Sequence, residues 1–174
     1  MKKKQKVDLS IALCLILIGV ALLILPIFKI TDIKWLSTII FALYTILNSI
    51  QFILTKESKD YEGLHSALAS LFVLAASLIW NPSESPRNLA MLLMAWIVLM
   101  SVAKLKKTDY YHDRKDKMWK LRLFNLGLFI LAGILTSINL SYSSEIQVIV
   151  IGFFMLIHGI LELFDPITKY LIAR

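Results

Sequence analysis

Two ionisable side chains near the end of the last apolar run, His158 and Glu162, are the best placed for proton chemistry. They lie four residues apart, a spacing that puts both on one face of a helix. Gly152 and Gly159 lie within about a third of a turn of them, so we expect this face to turn toward other helices. Because an imidazole changes its charge between about pH 5 and 8, the pair could respond to protons. Alternatively, Glu162 lies among lipid headgroups while His158 hydrogen-bonds a neighbouring helix, and the residues leave both interpretations open.

Uncharged polar side chains follow one face of two other apolar runs. Tyr44, Asn48 and Gln51 form one stripe, and Asn125 with Thr136 forms a thinner one. Such side chains could line a solute path. More often they join helices through hydrogen bonds worth about 0.6 kcal/mol each.

The segment 104–122 is the most basic part of the chain. It carries eight Lys and Arg residues, interleaved with Tyr110, Tyr111, Met118 and Trp119. We predict a cytoplasmic basic loop here. It could hold anionic lipid headgroups, at about 1 kcal/mol per basic residue near the surface. It could also act only as the strongest determinant of topology.

No sequence pattern points to an enzyme. The chain has no P-loop, no Gly-x-Ser-x-Gly, no His-Glu-x-x-His and no Cys-x-x-Cys. The single cysteine, Cys14, can form neither an intramolecular disulfide nor, alone, a metal site. We therefore predict no catalytic, cofactor-binding or metal-binding residues, and no cofactor.

The composition requires a lipid environment for these residues. The 174 residues are 58% hydrophobic and 18% charged, with a mean hydropathy of +0.73. A soluble protein of this size could not cover so much apolar side chain. The net charge of +7 comes from basic residues placed between apolar runs, which favours membrane topology over nucleic-acid binding.

Six apolar runs are long enough, or nearly so, to cross a bilayer. They cover residues 9–28, 35–55, 63–83, 88–103, 123–144 and 146–164. We predict an all-α membrane protein whose six transmembrane helices form three helical hairpins, at about 9–55, 63–105 and 121–164, within one transmembrane domain, 1–174. Asp165 and Pro166 are expected to end the last helix.

The second helices of the three hairpins share a pattern centred on a small residue. The segments starting at Ile46, Val98 and Leu156 align, and this places Ser49, Ser101 and Gly159 at matching positions. The first helices align more loosely through Gly19, Ala75 and Gly133. Small residues let helices approach closely in lipid, so we expect Gly19, Ser49, Ser101, Gly133, Gly152 and Gly159 to pack against other helices. The alignment also makes Lys104 and Glu162 equivalent, so the two side chains could meet, or both could simply reach to the lipid headgroups.

The basic residues predict the orientation. Sixteen of the 19 Lys and Arg residues fall on the side of the two termini, and only Lys29, Lys34 and Arg87 fall on the other. Because cytoplasmic loops are enriched in basic residues, we expect both termini in the cytoplasm. The residues do not define an oligomeric state, and a homo-oligomer is compatible with them.

Six spans in three hairpins, with the glycine motifs at 131–135 and 156–160 and prolines closing early helices, resemble the HdeD-like acid-resistance membrane proteins. The resemblance covers roughly residues 9–165. It implies a multi-pass stress-response protein of the bacterial cytoplasmic membrane, acting through packing, lipids or partner proteins, with no catalytic residues to carry over. The alternative is a small channel or proton-linked transporter using His158, Glu162, Asn48 and Gln51. The lack of a pair of Gly/Pro-interrupted helices weighs against a transporter.

Overall fold

Each apolar run forms one helix of a six-helix bundle. The computed structural model describes residues 3–56, 61–113, 115–116 and 118–172. The helices are α1 (Lys3–Ile24), α2 (Ile33–Thr55), α3 (Glu62–Ile79), α4 (Pro86–Asp113), α5 (Trp119–Ile138) and α6 (Ser144–Ile172). All six are long and apolar enough to cross a membrane. The predicted all-α fold with six spans is therefore confirmed.

The helices form a closed ring in which chain neighbours also contact each other. The most extensive packing joins α1 to α6, α2 to α3, and α4 to α5. The interfaces within the predicted hairpins, between α1 and α2, α3 and α4, and α5 and α6, are smaller. The two helices of each predicted hairpin therefore pack less extensively on each other than on helices of the adjacent hairpins. Contact between α1 and α6 closes the ring.

The outer surface of the ring is apolar, as a bilayer requires. Large hydrophobic side chains that point outward occur on every helix, including Leu17, Ile53, Phe72 and Phe124. At the end of the bundle away from the termini, Trp35 lies in the first turn of α2 and Trp80 follows α3, and both are exposed. Indole rings favour the membrane–water interface, so these two residues indicate where the helices leave the lipid.

A short turn connects α1 to α2 at that end. Pro26 lies in a 3-10 turn, Leu25–Phe28, which ends at Lys29 in the left-handed conformation with φ 59°. Asp32 then caps α2, because its Oδ1 accepts a hydrogen bond from the Trp35 backbone N at 3.2 Å. An Asp at this position satisfies one of the N–H groups that a helix start leaves without a partner.

The predicted loop at 104–122 is wrong in its extent. α4 continues to Asp113 and α5 begins at Trp119, so most of this segment is helical. The prediction ended the span at its first lysine, but a helix that leaves the hydrocarbon no longer needs apolar residues. The 28 residues of α4 extend about 42 Å, against a hydrocarbon core of about 30 Å. Residues 114 and 117 lie outside the described part of the chain, as do 1, 2, 57–60, 173 and 174, several of which are basic residues counted for the orientation.

The predicted end of the last helix at Pro166 is also wrong. α6 continues to Ile172 with Pro166 inside it. A proline in a helix interior removes one hydrogen bond and usually costs about 3 kcal/mol. On either side of it, Asp165 and Lys169 contact Arg122 and Tyr111, and these contacts hold the last turns against the bundle.

Candidate functional site

His158 lies at the centre of the bundle, completely buried. Its Nε2 shares a hydrogen bond of 2.9 Å with the Tyr44 hydroxyl on α2. Its ring centroid is 5.9 Å from that of Trp96 and 4.8 Å from that of Phe129. Nδ1 lies 4.0 Å from Glu162 Oε1 and has no hydrogen-bond partner among the described residues. The predicted pair is thus adjacent, and the imidazole also hydrogen-bonds a neighbouring helix.

Trp96 fills the space beside His158, at the level of the middle of the bundle. Its ring packs edge-on against Tyr44 at 5.1 Å and Phe154 at 5.7 Å between centroids. Its Nε1 donates a 3.0 Å hydrogen bond to Ser70 Oγ. Tyr44, Trp96 and Phe154 each precede the aligned small-residue motif by the same number of residues. Trp96 therefore contacts, at the centre, the aromatic residue at the same position in each of the other two predicted hairpins.

Lys104 and Glu162 meet at the level above His158, on the side of the termini. Lys104 Nζ contacts Glu162 Oε1, and it also lies 5.1 Å from the centroid of the Phe129 ring. The two side chains are 14% and 21% exposed, so their charges are largely removed from water. The contact that the repeat alignment suggested is confirmed.

A second set of charges lies one turn further toward the termini. Lys107 contacts Glu62 of α3, and its Nζ is 3.7 Å from Asp165 Oδ2 on α6. Arg122 of α5 donates to both oxygens of Asp165, from Nε to Oδ1 at 3.0 Å and from Nη2 to Oδ2 at 2.9 Å. We call these six residues the polar cluster: Glu62, Lys104, Lys107, Arg122, Glu162 and Asp165.

The polar cluster is electrically balanced, with three basic and three acidic side chains contributed by four helices. Each carboxylate contacts at least one cation. A buried charge without a partner is costly, and a paired one much less so. Measured from the start of α4, the helical rise of about 1.5 Å per residue places the first residues of the cluster near the edge of the hydrocarbon core. It therefore closes the interior of the bundle near the headgroups.

Tyr111 joins α1, α5 and α6 to the end of α4. Arg122 Cζ lies 3.3 Å from the centroid of its ring, and Lys169 Nζ lies 4.1 Å from it. Lys4 Nζ donates a 2.8 Å hydrogen bond to its hydroxyl. Cations over an aromatic face are attracted by its negative charge distribution, so this ring adds a third layer to the closed end, beyond the two levels of the polar cluster.

Two side chains of the predicted polar stripes join helices to one another, and a third bonds within its own helix. Gln51 Nε2 donates to Asp8 Oδ1 on α1 at 2.8 Å, and Asn48 Nδ2 donates to the Tyr44 carbonyl at 2.8 Å. Asn125 Nδ2 lies 3.4 Å from the Leu161 carbonyl on α6. Asn48 and Gln51 are buried, and the amide groups of all three residues have protein partners.

The predicted small residues divide into two groups. A Cβ on Gly19 would lie 2.6 Å from Leu156 N, and a Cβ on Gly159 would lie 2.7 Å from Ile16 N, so both glycines allow the α1 and α6 backbones to touch. Gly152 packs on the same seam, with Leu22 and Leu23 at 3.1 Å.

The remaining small residues have other surroundings. A Cβ on Gly133 would meet the end of the Ile97 side chain on α4, at 2.5 Å. Ser49 and Ser101 are half-buried, and their hydroxyls donate to carbonyls of their own helices, at 2.8 and 2.7 Å. Among these predicted residues, Gly19 and Gly159 bring two backbones together, at the α1–α6 seam. Gly63 on α3 does the same against α2, where a Cβ would lie 2.7 Å from Phe52 N.

Little open space remains around the polar cluster. A cavity of about 40 Å³ is lined by its residues together with Thr108, Asn125 and three apolar side chains, and one of about 10 Å³ lies beside Asn48 and Gln51. A buried water needs roughly 10–15 Å³, so these spaces suit waters. Arg122 lines the larger cavity, and its Nη1 has no protein partner among the described residues. Within the same residues, no group of three or more His, Cys, Asp or Glu side chains is placed to hold a metal ion.

Sequence reasoning missed four members of the polar cluster: Glu62, Lys107, Arg122 and Asp165. All four lie just outside the uncharged runs, where the predicted spans were cut. A signal was present, because Lys107 and Asp165 are equivalent in the repeat alignment and each follows an aligned partner, Lys104 or Glu162, by three residues. On a continuous helix this spacing puts both members of each pair on one face.

Comparison with known protein families finds a match over the last two helices. Residues 127–170 match the family DUF308, described as a short repeat of unknown function. The matching segment covers most of α5 and nearly all of α6. These two helices form one of the three predicted hairpins. No curated protein and no solved structure matches the chain.

Proposed function

We propose that this chain is a non-enzymatic, multi-pass protein of the bacterial cytoplasmic membrane, of the HdeD-like type, which contributes to survival of acid stress. The match over residues 127–170 supports this proposal, because DUF308 is the family domain of HdeD-like membrane proteins. The matched residues include Gly133, Gly152 and Gly159, which pack against α4 or α1. The similarity therefore falls on the residues that shape the bundle.

The observation that carries the non-enzymatic part of the proposal is the mutual pairing of the interior polar groups. The carboxylates of the polar cluster contact Lys or Arg of the same cluster, and the adjoining cavity of about 40 Å³ has room for waters only. Trp96, Phe129 and Phe154 fill the adjacent level of the bundle. An interior of this kind favours a role performed through lipids or partner proteins at the surface.

Loss of the gene tests the stress role directly. We expect a deletion strain to survive acid challenge less well than its parent, as measured by viable counts, while both grow equally at neutral pH. The parent gene should restore survival. A gene carrying Gly159→Leu should not, because the larger side chain opens the seam between α1 and α6. Equal survival of the deletion strain and its parent would contradict the proposal.

Reconstitution separates this proposal from a proton-linked transporter or channel. Liposomes containing the purified protein and an internal pH-sensitive dye should lose an imposed pH gradient no faster than protein-free liposomes. Faster loss that disappears in both His158→Phe and Glu162→Gln would favour the transporter instead.

A further inference from the structure

A groove on the outer surface runs between α3 and α4 at the end of the bundle that holds the termini. Its volume is about 160 Å³. Tyr61 and His65 line it at the start of α3, and Lys106 and Tyr110 line it on α4. Ala103 forms part of its wall, and the small side chain leaves the space open.

The two charged side chains at the base of this groove neutralise each other. Glu62 and Lys107 contact each other there, and both side chains are only 8% exposed. His65 Nδ1–H can donate to the Tyr61 carbonyl, since the two atoms are 2.8 Å apart, and this contact orients the ring over the first turn of α3. Lys106 is exposed, so its ammonium group supplies the charge that the groove presents to the membrane surface.

The surface below the groove is apolar on both helices. On α3, Leu68 and Phe72 follow His65 at the spacing of successive turns on one face. On α4, Val102 and Val98 precede Lys106 in the same way. These four side chains are 51–65% exposed. Going from the end of the bundle toward its middle, the surface therefore changes from a cation with aromatic hydroxyls to aliphatic and aromatic hydrocarbon.

We propose that this groove binds an anionic phospholipid, whose phosphate lies at Lys106 beside the Tyr61 hydroxyl and whose acyl chain lies along Leu68 and Phe72. The surface is polar at the end of the bundle and apolar toward its middle. This order matches that of the headgroup and the acyl chains of a phospholipid in the leaflet on that side. The charge of Lys106 selects the headgroup, because it attracts a net negative headgroup and repels the cation of a zwitterionic one. The inference depends only on the membrane position of α3 and α4, and it holds whether or not the protein acts in acid stress.

Lipid-induced stabilisation of the full-length protein in detergent tests the headgroup. We expect phosphatidylglycerol to raise the thermal unfolding temperature more than phosphatidylcholine does, because a ligand that binds the folded state stabilises it. Lys106→Gln should weaken phosphatidylglycerol binding about fivefold, the equivalent of about 1 kcal/mol for one basic residue. Lys120→Gln is the matched control, since Lys120 is an exposed lysine at the same end of the bundle but outside the groove. Equal losses in both variants, no loss in Lys106→Gln, or an equal response to both lipids would each overturn the proposal.

Two further arms test the rest of the ligand. Sodium phosphate at the same concentration should not reproduce the stabilisation, because it lacks the acyl chain. A Lys106-dependent response to phosphate alone would mean a site for a free anion and would contradict the proposal. Phe72→Ala should lower the response to phosphatidylglycerol, whereas Phe124→Ala, which removes an equally exposed ring on α5, should not. Equal effects of these two variants would also contradict it.

Discussion

Each charged side chain of the polar cluster has a partner of opposite sign inside the cluster, so removing one charge leaves another without compensation. For Lys104 and Glu162 this dependence can be measured, because neutral residues of similar shape exist for both. Lys104→Met or Glu162→Gln alone should lower the free energy of unfolding in detergent by about 1–3 kcal/mol, below the range for fully buried pairs because both side chains are partly exposed.

The double variant should recover part of that loss, because it leaves no unpaired charge at this level. A double-mutant cycle gives the coupling between the two side chains. Lys120→Met, at an exposed lysine, is the control and should change stability by less than about 0.5 kcal/mol. Additive losses in the cycle would show that the contact contributes nothing.

The hydrogen bond between Tyr44 and His158 makes a second prediction at this scale. Tyr44→Phe keeps the ring that packs on Trp96 but removes the hydroxyl, and this leaves His158 Nε2 without its partner. A buried polar group that loses its partner costs about 1–3 kcal/mol, and we expect the unfolding free energy to fall by that amount. Tyr142→Phe makes the same chemical change at a side chain that is 91% exposed and should have no effect. A Tyr44→Phe variant as stable as its parent would be inconsistent with this bond.

Individual residues were predictable to different degrees. The equivalence of Lys104 and Glu162 came from aligning the chain with itself, and the contact follows from two helix ends meeting in a ring. The partners Glu62 and Arg122 had no such signal, because each lies in the first turn of a helix whose neighbour is set by the packing of the whole bundle. The partner of a side chain across an interface depends on which helices are neighbours in the ring. The periodicity within one helix does not indicate which helix packs beside it.

At the scale of the elements, the glycines of the α1–α6 seam determine how closely two helices approach. Gly19→Ala would put a Cβ 2.6 Å from the Leu156 backbone N, and this backbone cannot move aside as a flexible side chain can. Overpacking usually costs about 1–3 kcal/mol, and we expect a loss at the upper end of that range with membrane insertion unchanged. Gly127→Ala is the matched control, because nothing lies within 4 Å of its Cβ position on α5. Thermal unfolding in detergent measures both, and equal stabilities would show that α1 and α6 do not touch at Gly19.

The positions of the helices were predictable, but several of their ends were not. α1 begins at Lys3, before the predicted span 9–28, and α5 ends at Ile138, before the end of the predicted span 123–144. An uncharged run marks where a helix is inside hydrocarbon, and both α4 and α6 extend beyond it on the side of the termini. Their extra turns carry Lys107, Tyr111, Asp165 and Lys169, which contact other helices. Tertiary contacts stabilise these turns, so a rule based on hydropathy ends both helices too early.

At the scale of the whole molecule, the distribution of charge predicts the orientation in the membrane. Against a Cys14→Ser background, Ser83→Cys places a thiol on the exposed turn between α3 and α4, and His112→Cys places one at the exposed end of α4. In intact cells an impermeant thiol reagent should label only the cysteine at position 83, because we expect both termini and the end of α4 in the cytoplasm. Permeabilised cells provide the control, in which both should react. Labelling at position 112 in intact cells would show that the orientation is opposite to the predicted one.

The seam between α1 and α6 joins two helices that a ribosome makes at different times, with four other helices made between them. At about 5–20 residues per second, roughly 7–30 s pass between the completion of α1 at Ile24 and that of α6 at Ile172. During that time the α2–α3 and α4–α5 seams can form, while the Gly19 face of α1 has only lipid against it. α1 therefore has to stay in the bilayer by its own affinity for hydrocarbon, and it is the most hydrophobic of the six spans. The ring closes only when its last member arrives, so a chain cut short anywhere before α6 leaves its first helix without its main partner.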